Sequence, residues 1–137
     1  MANKSVNIGG NLTKYQFSDS DGNVIAFFHM NPLDIRIAER AAASADKLQK
    51  ISAEALANPS VEDLARYDKE ITEAINHILG YDASATLFTI MSATTPMDDG
   101  EVFASVVLRT ISDNLEADIN NRLNKFQAAA KYTAKYQ

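Results

Sequence analysis

Hydrophobic and polar positions along this chain follow two different periods, and the change falls near residue 31. Before it, residues 12–18 and 24–30 are short runs rich in Val, Ile, Tyr and Phe, separated by Asp19-Ser20-Asp21-Gly22-Asn23. Residues 12–30 therefore predict a β-hairpin, with Asp21-Gly22 supplying the positive φ angles of a two-residue turn. That turn sets Phe17 opposite Ala26 and Tyr15 opposite Phe28, and sends Ile25, Phe27 and His29 to the other face. Both faces are then partly apolar. A lone hairpin is marginal in water, so this one must pack on helices or add strands from another copy or a partner.

From residue 32 to 136 the period is helical. Asn31-Pro32-Leu33-Asp34 reads as a helix start, with Asn31 capping free amides, Pro32 in the first helical position and Asp34 complementing the dipole. This helix should run to about Ala57, where Asn58-Pro59 breaks it. Its stripe of Ile37, Ala38, Ala41, Ala45, Leu48 and Ile51 is rich in alanine, which predicts a close helix contact. Ser60 then caps a second helix, with Asp63 at the spacing of a capping box. Leu64, Tyr67, Ile71, Ile75 and Ile78 share one face of it, and Gly80 stands where it stops.

Asp82 is predicted to cap a short third helix through Ala93, carrying Leu87, Phe88, Ile90 and Met91, before the turn-rich stretch 94–100. From Glu101 onward Val102, Val106, Ile111, Leu115, Ile119, Leu123, Phe126 and Ala130, flanked by Phe103 and Val107, predict one long amphipathic helix. It should pack along the first two helices, with residues 131–136 extending beyond the core. The expected fold is α+β, mainly α: a single domain over 1–137, with an N-terminal β-hairpin at 12–30. A helical bundle of three to four helices follows at 32–136, ending in the long C-terminal helix.

Composition narrows the function. An apolar fraction of 46% with 23% charged residues suits a soluble globular protein. No apolar run approaches the roughly 18 residues of a membrane span, and the N-terminal residues lack the apolar stretch of a secretory signal, so a cytoplasmic protein that binds no membrane is expected. Cysteine is absent, which removes disulfides, thiolate metal sites and cysteine nucleophiles together. The net charge of −5 opposes nonspecific nucleic-acid binding, which needs a clustered cationic face. Residues 54–101 are strongly acidic, with Arg66 and Lys69 their only Lys or Arg. After Asp118 the charged side chains are Arg122, Lys125, Lys131 and Lys135. Those cations either complement a helix C-terminus or form a partner-docking tail.

Catalytic, cofactor and metal sites find no candidates. His29 and His77 lie on different predicted elements with no third ligand at metal-binding spacing. Asp19-Ser20-Asp21-Gly22 lacks the later glutamate of a calcium loop, since position 28 is Phe. Gly9-Gly10 has neither the lysine nor the strand-to-helix setting of a phosphate loop. Asp98-Asp99 with Glu101 could hold a divalent cation, but acidic residues are already favoured ahead of a helix. No serine stands in a nucleophile elbow, and an enzyme is not expected. Tyr132 and Tyr136, four apart, share a helix face and form either an amphipathic anchor of the kind found at interfaces or a contact with the chain's own hairpin. Their interleaving with Lys131 and Lys135 also admits a single-strand nucleic-acid reading, which the acidic remainder opposes.

The order of elements, the Asn31-Pro32-Leu33-Asp34 helix entry, the turn after Gly80, Arg122-Leu123-Asn124-Lys125-Phe126 and the ending Lys131-Tyr132-Thr133-Ala134-Lys135-Tyr136 together resemble the tail assembly chaperones of long-tailed bacteriophages and prophages of Gram-positive bacteria. The resemblance spans most of the chain. It implies a protein that binds the long tape measure protein, helps recruit tail tube protein and is absent from the mature virion; it supplies no catalytic or ligand residue. A holding mechanism would use an apolar groove or sheet edge, with several copies per client and hence self-association. Candidate partner-binding residues are Ile25 and Phe27 on the hairpin, and Phe126, Tyr132 and Tyr136 on the final turns. The alternatives are a phage structural or connector component, which would stay in purified particles, and a small nucleic-acid-binding regulator, whose complexes would weaken with salt.

Overall fold

The computed structural model describes residues 3–7 and 12–115. Strand β1 (Thr13–Ser18) pairs antiparallel with β2 (Val24–Met30) in a two-stranded sheet. Phe17 faces Ala26 and Tyr15 faces Phe28 as expected, but the turn that sets this register is different. Asp19 N donates to Asn23 O at 2.9 Å and Gly22 N to Asp19 O at 3.0 Å, which makes a three-residue loop of Ser20, Asp21 and Gly22. Only Gly22 takes a positive φ there, 85°. The cause is Asp19: its Oδ1 accepts from the amides of Asp21 and Asn23, both at 2.9 Å, and stabilises the longer loop. The Asn23 amide is the chief reason that the Asp19 carboxyl lies below its ordinary pKa.

The longer loop shifts the pairing by one residue, so that Ser18 faces Val24. A bulge before Phe17 shifts it back and leaves Ile25 as the extra residue of β2. The two irregularities cancel, which preserves the expected register beyond them. Ala26, Phe28 and Met30 are buried on one face, with Tyr15 and Phe17 packed against them. Tyr15 stacks on Phe28 with ring centroids 5.0 Å apart, and Phe17 meets Phe103 edge-on at 5.5 Å, joining the hairpin to the last described helix.

Helix α1 (Ile35–Leu56) starts later than predicted. Asn31 Oδ1 accepts from Leu33 N and Asn31 O from Asp34 N, so Asn31 and Pro32 belong to a turn leaving β2. Asp34 is the cap, its carboxylate accepting from Arg36 N. Helix α2 (Val61–Leu79) follows its predicted limits: Ser60 Oγ accepts from Asp63 N at 3.1 Å, and Gly80 closes the helix at φ 80°. Ile71, Ile75 and Ile78 are fully buried. Arg40 Nε donates to Ile78 O at 3.0 Å, tying the start of α1 to the end of α2.

The third helix is the main correction. α3 is only Ser84–Leu87, and Asp82 caps no backbone amide; it accepts instead from Ser84 Oγ and Asn76 Nδ2. Beyond Phe88 the backbone finds partners outside a helix. Ala93 N donates to Asp68 Oδ1 at 2.8 Å, Pro96 bridges Val102, Phe103 N donates to Thr95 O and Ala104 N to Ala93 O. Phe88 N still closes an i to i−4 bond to Ser84 O, whereas Ala93 N and O find non-helical partners in Asp68 and Ala104. The last described helix, α4, begins at residue 103 rather than at Glu101 and is followed to residue 115. Its buried stripe is Phe103, Ala104, Val107, Ile111 and Leu115, while Val106, expected on that stripe, is half-buried. The predicted continuation past Leu115 lies outside the described residues.

The architecture is thus α+β, mainly α, with the hairpin laid against helices and one core cluster drawing residues from every element. Among the described residues no helix is long and apolar enough to cross a membrane.

Candidate partner-binding surface

The outer face of the hairpin carries Ile25 and Phe27. Phe27 is half-buried under its own neighbours: Lys14 Nζ lies 4.3 Å from its ring centroid and His29 meets it edge-on at 5.8 Å. Lys14 and His29 face one another across the strands, so the pair brackets the ring diagonally. The resulting surface is apolar in the middle and polar at its margins.

The free edge of β2 is partly occupied, which argues against simple strand addition there. Thr86 Oγ1 donates to Phe27 O at 2.6 Å, and His29 N donates to Tyr81 OH at 2.8 Å. These side chains satisfy outward backbone groups of β2 and blunt the edge, as sheet proteins commonly do. They also pull α3 alongside β2, opening a shallow groove of about 490 Å³ between them. Val24, Ile25, Phe27, Thr86, Thr89 and Ile90 line it.

Two of these apolar residues were not expected at a surface. Ile90, 66% exposed, belongs by periodicity to the core stripe of a helix over 82–93; because α3 ends at Leu87, it turns to solvent. Val24, 47% exposed, shares strand parity with buried Ala26, but the bulge at Ile25 separates them. The path of Ile90 depends on Asp68, distant in sequence, whereas Val24 is displaced by the register change that the Asp19 turn sets a few residues away. Phe126, Tyr132 and Tyr136, the other candidates, lie outside the described residues.

Among the described residues no group of three or more His, Cys, Asp or Glu could hold a metal ion. The acidic stretch before α4 binds a cation of the chain itself: Asp99 and Glu101 both pair with Arg109. The Glu101 hydrogen bond is the main reason the Arg109 pKa is raised. His77 is exposed in the last turn of α2. The arrangement can cover apolar surface on a partner; the groove offers no converging acid, base and nucleophile. The chain matches no family model, no curated protein and no solved structure.

Proposed function

We propose that this protein is an assembly chaperone of the phage tail type, holding the apolar faces of a tape measure protein while tail tube protein assembles around it. The observation that carries the reading is the groove between β2 and α3, where Val24, Ile25 and Phe27 of the braced strand and Ile90 beyond α3 present apolar surface. Apolar side chains held at a surface by their own hydrogen-bonded support mark interaction sites rather than failures of packing. The groove is shallow and suits one face of an amphipathic helix. Each copy would then contribute a small contact, and holding a long client requires several copies, hence self-association. The work is non-catalytic, takes place in the cytoplasm and ends before the virion is complete.

The test is to mix the purified protein with tape-measure fragments and measure client remaining in solution. A gain in soluble client is expected, and no gain overturns the reading. Ile90→Asp should weaken client binding about tenfold, the order expected from losing one buried aliphatic contact. Because Ile90 lies outside the core, its unfolding free energy should stay within about 0.5 kcal/mol of the parent.

A further inference from the structure

Ala38 and Ala41 of the alanine face of α1 pack against the core, whereas the face is open at Ala45. Ala41 and Ala45, predicted to make a close helix contact, line a groove of about 320 Å³ between α1 and α4, and Ala45 is exposed. On the α4 side stand Ser105, Ser112 and Asp113. Ala41 and Ala45 on one wall and Ser105 and Ser112 on the other leave room for a helix to approach between the larger Gln49, Leu108 and Arg109.

The groove also contains an incomplete interaction. Ser52 lines it, is only 5% exposed, and its Oγ has no hydrogen-bond partner among the described residues. A buried hydroxyl left unpaired is destabilising, and each such group in a folded protein calls for a reason. A polar side chain arriving from outside would supply the missing partner.

Charge indicates what arrives. Asp113 and Glu101 line the groove and Asp99 sits beside them, with Arg109 the one cation they share. This end of the groove is therefore net acidic. The chain contains a matching segment: residues 122–137 carry Arg122, Lys125, Lys131 and Lys135 and no acidic side chain, with alanines at 128–130 and 134. Residues 116–121 separate that segment from Leu115 in the sequence, and the described residues of α4 form one wall of the groove. After Gly100 the sequence has neither glycine nor proline, so no residue specialised for a tight reversal lies between the groove wall and the segment.

We propose that the groove between α1 and α4 receives the cationic, alanine-rich segment 122–137 of a second copy of this chain. The proposal rests on the multi-copy part of the holding reading and names its contact surface. Reciprocal exchange closes a dimer; exchange passed from copy to copy builds a ring or filament.

The chain lacks cysteine, so introduced thiols are unique. Differently tagged full-length chains carrying Ala45→Cys and Ala129→Cys are mixed and oxidised without client. A disulfide between the two tags is expected, and none when Glu73→Cys on the exposed side of α2 replaces Ala45→Cys. An intrachain disulfide in the double variant, or no disulfide between tags, overturns the proposal. In full-length protein, Lys125→Glu, Lys131→Glu and Lys135→Glu together should weaken self-association about tenfold by sedimentation. Ser52→Ala should weaken it about threefold while leaving the dilute monomer as heat-stable or more so. Association unchanged by both sets overturns it. No client enters these measurements, so their failure is distinct from failure of the solubility assay.

Discussion

α2 and the stretch 83–104 both bring apolar residues to the core, yet they hold their shape on different terms. α2 is specified locally. Ser60 and Gly80 close its ends, and Ile71, Ile75 and Ile78 keep a single face. In 83–104 the helix lasts from Ser84 to Leu87, after which Asp68 takes Ala93 N and an isolated bridge within the stretch joins Pro96 to Val102. A helix persists where caps and stripe agree; where they do not, tertiary partners decide the path.

Substitutions can break this contrast in order of expected size. Ile75→Ala, which opens a cavity at a fully buried position, should cost about 2–5 kcal/mol in denaturant unfolding. Asp68→Ala leaves the amide of buried Ala93 without its acceptor and should cost about 1–3 kcal/mol, with partial recovery in Asp68→Asn. Hydrogen exchange should then rise in 93–104 while α2 stays protected. Ser60→Ala removes one cap bond and should cost about 1 kcal/mol, visible as faster exchange in the first turn of α2.

The smallest effect belongs to the hairpin turn. The Asp19 carboxyl has a folded pKa below its ordinary 3.8, so its stabilisation is complete above that value and is lost as pH falls through the folded value. Asp19→Asn should flatten this acid dependence, as followed by the chemical shifts of Gly22 and Asn23 between neutral pH and pH values below the carboxylate range.

Much of the fold was legible in the sequence. The hairpin pairing, the extent of α2 and the mainly helical class follow from periods and punctuation that act over a few residues. The candidate surface was half legible. Ile25 and Phe27 are alternation residues on a strand whose other face is buried, whereas Val24 and Ile90 have the same local signature as core positions.

The sequence alone determined the limits of α2 and the hairpin's turn at Gly22, though not the caps expected at Asn31 and Asp82, because Ser60, Gly80 and Gly22 act on their own backbone or on amides within three residues. The tertiary structure decided which apolar residues face solvent. The capture of Ala93 N by Asp68 redirects the residues after α3, and it depends on a group brought alongside only when the chain has folded.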